Sequence, residues 1–258
     1  MPLQRLARAV VAAGGQELAA LRLEDQAHEP LVGVHAHPAH GLGEHSGRYE
    51  PFGVRMADYG FSTFAMDQRG HGASEGRRGH APRFDVLLQD LDRFRREVQG
   101  LLPLGVPIFL LGHSMGGLVA LRYLQEFDVP FAGAIITSPW LGTAYAAPRW
   151  KVLLGNVFNR ILPAFPFSIQ VDPAQLSHDH ERVTDYRDDP QIHSTITPRL
   201  FSELSGAIET AFRRGERIRV PVLFLLAGED TLVSTDRSLA FARSLPAERV
   251  TVEVLEGM

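Results

Sequence analysis

The chain has 258 residues and a formal net charge of -4, with 45% hydrophobic and 22% charged residues. Its basic residues are scattered, which argues against a nucleic-acid-binding surface, and no apolar run approaches the roughly 20 residues that a membrane span needs. The absence of cysteine excludes a disulfide framework, a thiolate nucleophile and a cysteine-type zinc site, and it favours a cytoplasmic location. The length fits one large domain or one domain with an inserted piece.

The amino-terminal stretch, residues 1–15, carries two arginines before a short apolar run. That run, residues 9–13, is shorter than the core of a secretory signal peptide. We therefore predict a leading helix or strand at this end of the chain.

From about residue 31 onward, strand-like and helix-like stretches alternate, which predicts an α/β fold with a mostly parallel sheet and helices on both faces. Residues 61–67 are predicted to form a buried strand, and residues 107–112 and 131–138 the next two strands. A helix over residues 84–98 is predicted between the first and the second of these strands, because its apolar residues recur on one helical face.

About eighty residues separate Thr137 from the next strand-like stretch, 220–228, whereas a crossover needs only about a dozen. We therefore predict a core formed by residues 1–139 and 216–258, with a mainly helical cap inserted at 140–215. An apolar stripe begins the cap and consists of Trp150, Val152, Leu153, Leu154, Val157, Phe158, Ile161, Leu162, Phe165, Phe167 and Ile169. Most of the stripe is expected to pack on the core, and the alternative is that part of it lines an apolar tunnel.

The most informative pattern is an apolar run followed by Gly112-His113-Ser114-Met115-Gly116 and a helix-like stretch. This is the G-x-S-x-G nucleophile elbow in the strand–turn–helix setting that it requires. The glycines permit a strained turn and a close passage of helix and strand, which leave the serine hydroxyl exposed at the helix amino terminus. The pattern predicts Ser114 as a nucleophile, with a purely structural turn as the alternative.

A serine nucleophile needs oxyanion donors, an imidazole base and an acid that orients the base. The glycine-rich stretch 40–49 follows a strand-like run, so the backbone N–H groups of Leu42 and Met115 are predicted to form an oxyanion hole. The acid is predicted at Asp230, which follows a later strand-like run in the chain order that the elbow fold uses. Glu229 is the alternative acid.

The base is expected after Asp230, but all 11 histidines lie at or before His193. A strand is predicted over residues 250–255, and the loop after it is the position from which an imidazole reaches both Ser114 and Asp230. We therefore expect a truncated copy whose continuation carries a histidine within about three residues of Met258, followed by an amphipathic helix. Without that last helix, the sheet is expected to expose apolar surface and to favour aggregation or self-association.

Pro38 interrupts the strand-like stretch that precedes the predicted oxyanion loop. Because proline removes a donor from the strand ladder, we predict that this strand ends by His37 and that the loop is displaced.

Histidines crowd the same part of the chain, at His35, His37, His40 and His45. A metal site is the alternative there, but no acid-and-histidine set at helical spacing supports it, so a structural role is preferred. Asp67 and His71 belong to a glycine-rich loop after a strand, and we expect them to be structural rather than catalytic.

Six short motifs follow one another in the order of a known family: HGLGEHSGRY, DQRGHGASEG, FLLGHSMGG, SPW, YRDDP and LAGED. On these motifs the chain resembles the monoacylglycerol lipase and lysophospholipase branch of the α/β-hydrolases, also described as serine aminopeptidase-like. The resemblance implies the α/β-hydrolase fold and the same nucleophile, acid and oxyanion donors. It also places Glu44, Arg48 and Tyr186 near the glycerol end of the substrate pocket, and the family's catalytic histidine follows the motif LEGM, with which this sequence ends.

These features predict a serine hydrolase of carboxylic esters, acting on a monoacylglycerol or a lysophospholipid, with small esters or peptides as alternative substrates. No cofactor, metal or nucleic-acid partner is expected, the apolar cap suggests peripheral membrane contact, and the oligomeric state stays open. The other hypothesis is a catalytically dead hydrolase or lipid-binding pseudoenzyme, because loss of a triad histidine lowers kcat about a millionfold. His80, His178, His180 or His193 would replace the base only if the cap brought one of them to Ser114.

Overall fold

The computed structural model describes residues 10–13, 16–18, 33–145, 155, 157–169 and 171–258, with side chains from residue 39 onward. The strands are β1 (Val10–Ala13), β2 (Gln16–Leu18), β3 (Gly33–Ala39), β4 (Phe61–Ala65), β5 (Ile108–His113), β6 (Gly133–Thr137), β7 (Phe167–Ser168), β8 (Thr195–Ile196), β9 (Val222–Ala227) and β10 (Val250–Leu255). The longer helices are α1 (Glu50–Asp58), α2 (Phe84–Leu101), α3 (Met115–Glu126), α4 (His180–Asp188), α5 (Pro198–Arg213) and α6 (Thr235–Arg243).

Within the described ranges, eight strands form one sheet in the order β2-β1-β4-β3-β5-β6-β9-β10. Every neighbouring pair from β4 to β10 is parallel, which confirms the predicted parallel sheet. The leading segment forms an antiparallel hairpin, β1 and β2, on the edge beside β4. The parallel strands bring the carboxyl ends of β5, β9 and β10 to one edge of the sheet, where open α/β proteins place their chemistry.

Two helices cover the middle of this sheet. Helix α2 buries the predicted face, which consists of Phe84, Leu87, Leu88, Leu91, Phe94 and Val98. Helix α3 lies between β5, α2 and α5 and is buried from Met115 to Gln125. A helix enclosed in this way needs small or apolar side chains on most sides, which accounts for its run of Gly, Ala, Val and Leu.

The prediction that the strand before the oxyanion loop ends by His37 is wrong. Strand β3 continues through Ala39, and its pairing with β5 shifts register between Ala36 and Pro38. The pairing skips His37 and resumes with Pro38 opposite Leu111. A bulge is one of the places where a sheet tolerates proline, so the strand continues beyond it.

The expectation that most of the apolar stripe packs on the core is also wrong. Five apolar residues of the predicted stripe are exposed instead of packing on the core: Val157 (45%), Ile161 (69%), Leu162 (46%), Phe165 (49%) and Phe167 (39%). The rings of Phe158 and Phe165 pack edge-to-face against Phe167, at centroid distances of 5.4 and 5.2 Å, so the aromatic part of the stripe packs on itself. Trp150, Val152, Leu153 and Leu154 lie outside the described residues.

Helix α5 joins the core rather than the outer part of the insertion. Its buried residues Leu200, Leu204, Ala207 and Ala211 belong to the same hydrophobic cluster as the apolar side chains of α2 and α3. The cap boundary at residue 215 stays a prediction, and we propose that the cap ends nearer Thr197.

Strand β10 forms one edge of the sheet. Val254 and Leu255 are 41% and 39% exposed. The expected uncovered apolar surface on this side of the sheet stays a prediction. Self-association through it stays a prediction. Among the described helices, none is long and apolar enough to cross a membrane.

Candidate active site

Ser114 occupies a strained turn between β5 and α3. Its φ of 51° and ψ of -119° are sparsely populated by residues other than glycine. Three backbone hydrogen bonds hold this conformation: the Ser114 N–H donates to Thr137 O (3.1 Å), and the Ser114 carbonyl accepts from Leu118 N (3.2 Å) and Trp140 N (2.9 Å). Strain that the surroundings hold in place is typical of a residue with a functional role.

The glycines of the G-x-S-x-G pattern are explained by close contacts. A Cβ placed on Gly116 would lie 1.6 Å from Ala39 O, and one on Gly112 would lie 2.7 Å from Gly116 O and 2.8 Å from the Cβ of Ala120. Strand β3, strand β5 and helix α3 therefore approach each other at a distance that leaves no room for a side chain.

The predicted oxyanion loop lies against the serine. A Cβ on Gly41 would be 3.5 Å from the Ser114 Cβ, so the predicted displacement of this loop is wrong. The Gly41 carbonyl accepts hydrogen bonds from His40 Nδ1 (2.8 Å) and from Glu44 N (3.4 Å), which fix the orientation of the peptide plane.

This plane determines the direction of the Leu42 N–H. In a trans peptide the N–H points opposite to the preceding carbonyl, so the Leu42 N–H points away from His40. Leu42 lines the same cavity as Ser114, and within the described residues its N–H has no hydrogen-bond acceptor. The Met115 N–H is in the first turn of α3, where helical amides have no intrahelical partner. The two predicted donors thus flank the serine.

His40 holds the loop as a neutral imidazole. Its Nδ1–H donates to Gly41 O, its Nε2 accepts from Gln68 N (2.9 Å), and Gln68 Nε2 donates back to His40 O (2.7 Å). Complete burial lowers the pKa of His40, since burial penalises the charged form. Both ring nitrogens are used within the protein, which supports the structural role expected for this histidine.

Asp67 and His71 are also engaged in the loop after β4. Asp67 accepts from Ser46 N through Oδ1 and from Ala73 N through Oδ2, both at 2.7 Å. The Nδ1–H of His71 donates to Arg69 O (3.0 Å), and burial lowers the pKa of His71 well below its usual value. These bonds support a structural role for both residues.

Because His40 and His71 are buried as neutral imidazoles, we expect the free energy of unfolding to be lower in mild acid. The pKa values of His40 and His71 are lowered from 6.5 in the folded protein, so below that pH the unfolded chain binds more protons and the free energy of unfolding falls. We expect a loss of up to about 1.4 kcal/mol per pH unit for each histidine in the pH window that begins at about 6.5 and extends down to the pKa of that histidine in the folded protein. Urea unfolding at several pH values measures it.

A matched control separates this effect from general titration. His178 is exposed on the cap, so His178→Gln is expected to leave the slope of stability against pH unchanged. His71→Gln should reduce the slope. A wild-type stability that is flat or rises as the pH falls through this window would contradict the prediction.

The predicted acid is held at the sheet edge beyond β9. Asp230 is half-buried, and its Oδ1 accepts from Leu232 N and Val233 N, both at 2.9 Å. The alternative, Glu229, is exposed. One strand, β6, lies between β5 and β9, so the strands that carry Ser114 and Asp230 are about 10 Å apart at their axes. That spacing leaves room for an imidazole between the two side chains.

Ser114 opens into a cavity of about 490 Å³ with a mostly apolar wall. The lining residues are Gly41, Leu42, Glu44, His113, Ser114, Trp140, Thr143, Ile169, Val171, Leu176, Tyr186, Ile192, His193, Ser194, Ile196, Phe201, Leu232 and Val233. Most of the apolar wall comes from the insertion. Ile169 was expected from the stripe, whereas Val171, Leu176 and Ile192 lie in short irregular segments that carry no periodic signal.

The three residues predicted at the polar end of the pocket lie together. Glu44 Oε2 accepts from Gly41 N (3.1 Å) and from the Tyr49 hydroxyl (3.4 Å). Arg48 Nε is 3.9 Å from Glu44 Oε1, and the Arg48 guanidinium lies 4.9 Å from the centre of the Tyr186 ring. Burial and the Glu44 carboxylate raise the pKa of Tyr186.

No described histidine is bonded to the Ser114 hydroxyl. His113 and His193 line the cavity, but His113 Nδ1 is bonded to Thr137 Oγ1 (2.9 Å), and both nitrogens of His193 have backbone partners. His80 is bonded to a threonine hydroxyl, and the two cap histidines, His178 and His180, are exposed. Replacement of the base by His80, His178, His180 or His193 was considered only if the cap brought one of them to Ser114, and the described geometry gives it no support.

Comparison with known proteins gives the family. The family model described as serine aminopeptidase, S33, matches residues 37–258. The chain belongs to this family. A rat monoglyceride lipase is 33% identical over 221 residues, which cover 85% of this chain and 72% of that protein. A Dictyostelium discoideum protein described as an uncharacterized abhydrolase domain-containing protein is 34% identical over 81% of this chain, which spans only 22% of that relative's length.

The solved structures agree with this placement. The monoacylglycerol lipase of Paleococcus ferrophilus superposes with a TM-score of 0.81 and 30% identity, covering 97% of this chain and 90% of that one. The fold is therefore that of the α/β-hydrolases, and within them the chain lies in the monoacylglycerol lipase branch, a group of carboxylic ester hydrolases.

Proposed function

We propose that this α/β-hydrolase cleaves the ester of a neutral single-chain lipid such as a monoacylglycerol, with Ser114 as its nucleophile. The observation that carries the proposal is the position of Ser114, in a strained turn at the amino terminus of α3, at the wall of a mostly apolar cavity. An apolar cavity with a few polar groups at one end suits a ligand with an acyl chain and a small polar head.

In the proposed reaction, Ser114 attacks the ester carbonyl and the glycerol oxygen leaves, and water then hydrolyses the acyl-enzyme. The N–H groups of Leu42 and Met115 stabilise the oxyanion, and one such donor contributes on the order of 10²–10³ in kcat. Asp230 orients the imidazole that takes the serine proton. The chemistry requires no cofactor or metal.

We place that imidazole on the loop after β10. Gly228 N donates to Leu255 O (2.9 Å) and Glu229 N donates to Met258 O (2.7 Å), so the turn after β10 is bonded to the loop that carries Asp230. The loop after β10 leaves the same edge of the sheet as the loops that carry Ser114 and Asp230.

The charges at the polar end favour glycerol over a phosphate headgroup. Glu44 lines the cavity, while no arginine or lysine does among the described residues. Arg48, which contacts two of the lining residues, is already paired with Glu44 and covers Tyr186. A phosphate would therefore meet a carboxylate, and like-charge contacts cost several kcal/mol. A lysophospholipid is thus the less favoured of the two lipid substrates.

We expect 1-lauroylglycerol to be hydrolysed at least about tenfold faster than lauroyl lysophosphatidic acid, since about 1.4 kcal/mol corresponds to a factor of ten. Release of lauric acid, measured with imidazole present, tests this. Glu44→Gln removes the negative charge while keeping an acceptor for Gly41 N. It should therefore reduce the ratio between the hydrolysis rates of the two lipids. Equal rates for the two lipids, or a preference for acetate over dodecanoate esters, would remove the assignment.

We also propose that the protein contacts membranes peripherally and lies in the cytoplasm. The five exposed apolar cap residues support peripheral membrane contact during lipid uptake. The lack of cysteine supports a cytoplasmic location.

The second candidate is a lipid-binding protein without turnover. It is favoured by one observation, the lack of a bond between any described histidine and the Ser114 hydroxyl. Binding of lauroylglycerol without release of lauric acid, with or without imidazole, would support it.

A further inference from the structure

The segment of residues 192–197, here called the return segment, leads from the cap into α5 and packs against the oxyanion loop. His193 N donates to Gly43 O (3.0 Å), and Thr197 N donates to Gly79 O (3.0 Å). A Cβ on Gly43 would lie 2.1 Å from His193 O, and one on Gly79 would lie 1.9 Å from Thr195 O. The return segment therefore lies backbone to backbone on both neighbouring loops.

The His193 side chain makes two bonds beside this contact. Its Nε2–H donates to Gly70 O (3.0 Å) in the loop after β4, and its Nδ1 accepts from Thr195 N (3.2 Å) within the return segment. This arrangement requires the neutral imidazole. A proton on Nδ1 would turn that acceptor into a donor facing another donor, and the bond to Thr195 N would be lost.

His193 also begins a column of three imidazoles that reaches the oxyanion loop. Its ring centre is 4.8 Å from that of His71, which is 5.0 Å from that of His40. His40 in turn donates to the Gly41 carbonyl and so orients the Leu42 N–H.

The surroundings of His193 disfavour a proton on its ring. Burial is the largest cause that lowers the pKa of His193, and Arg78 lowers it further, while the hydrogen bond to Gly70 O opposes the shift. The loop carboxylates are directed elsewhere: Asp67 accepts two backbone N–H groups, and Glu44 accepts from Gly41 N and the Tyr49 hydroxyl. No carboxylate is bonded to the His193 ring among the described residues.

We propose that His193 is a positioning residue: as a neutral imidazole it holds the shape of the return segment, whose backbone lies on the oxyanion loop, and when it takes up a proton the bond to Thr195 N is lost and the return segment loosens on that loop. The cap and the oxyanion donors would then be loosened together in mild acid. This inference rests on the proposed function only for the role of the oxyanion loop, because the contacts themselves do not involve Ser114.

Amide hydrogen exchange, followed by mass spectrometry and corrected for the intrinsic pH dependence of exchange, tests the proposal. Protection of peptides spanning 40–46 and 190–197, relative to a peptide from α3, is expected to fall by up to about tenfold per pH unit below about pH 6.5. In His193→Gln the amide still donates to Gly70 O but does not titrate, so the protection of peptide 190–197 relative to α3 should no longer change with pH in this window. His193→Phe, which loses both bonds, should show low protection at every pH.

His178→Gln, the same substitution at an exposed cap histidine, should behave as the wild type. The α3 peptide reports global stability, so unchanged protection of this peptide at a given pH shows that a variant is folded. If His193→Phe does not fold, His193→Gln alone is sufficient for the test. A pH dependence of peptide 190–197 relative to α3 that persists in His193→Gln, or wild-type protection in His193→Phe, would overturn the proposal. Because Ser114 is not used in this measurement, its outcome is separate from that of the ester assays.

Discussion

Imidazole added to the 258-residue chain is expected to raise its hydrolysis of p-nitrophenyl dodecanoate by on the order of 10- to 100-fold. A positioned general base contributes typically about 10²–10⁴-fold, and a freely diffusing imidazole recovers only part of this because it is not held in place. The gap between Ser114 and Asp230 at the sheet edge is where the added imidazole would act. Release of p-nitrophenolate at increasing imidazole concentration measures the effect.

Free imidazole also attacks activated esters, so the matched control is Ser114→Ala in the same buffer. Its rate should equal the rate with imidazole and no protein. An Asp230→Asn variant should keep the fold and show a weaker response to imidazole, since the acid that orients the base is lost. A response of equal size in wild type and Ser114→Ala would contradict the assignment of Ser114 as nucleophile.

Replacement of Gly116 by alanine is expected to destabilise the fold by about 3 kcal/mol or more. The new Cβ would lie 1.6 Å from Ala39 O, a backbone atom of β3, so the strand and α3 must move apart. The free energy of unfolding in urea measures this loss, as a lower midpoint at an unchanged slope.

Gly206→Ala is the control for the same change in a helix without the clash. Gly206 is exposed in α5, and a Cβ there meets nothing within 4 Å. Alanine at this position should stabilise the protein by about 0.5–1 kcal/mol, because glycine loses more backbone entropy on folding. Similar stabilities of the two variants would contradict the close-packing explanation of the elbow.

The periodic elements of the core could be predicted from the sequence because each one faces the interior with a regular pattern. The strand at β4 and the apolar face of α2 are examples, and both are confirmed. Two expectations were wrong, because each applied a local sequence rule at a place where the tertiary structure decides the outcome. Pro38 was expected to end β3, but a bulge accommodates it, and residues such as Ile161 were expected to be covered although they are exposed.

The nucleophile elbow was predictable because a strand, a turn and a helix are adjacent in the sequence. The cavity wall was predictable only in part, since Val171 and Ile192 lie in short segments without period. The imidazole column was not predicted at all. His40, His71 and His193 come from three distant parts of the chain, and only the packing of their loops brings the rings within about 5 Å of each other.

The assignment of Ser114 as the nucleophile is tested most directly by labelling with a fluorophosphonate, followed by mass spectrometry of tryptic peptides. Ser114 is the one serine of the peptide 97–122, and the peptide 123–149 carries Ser138, the other described non-glycine residue with positive φ. We predict an adduct on peptide 97–122 that forms faster when imidazole is added and is lost in Ser114→Ala. A folded protein that gives no adduct on this peptide, or labels on peptide 123–149 instead, would contradict Ser114 as the nucleophile.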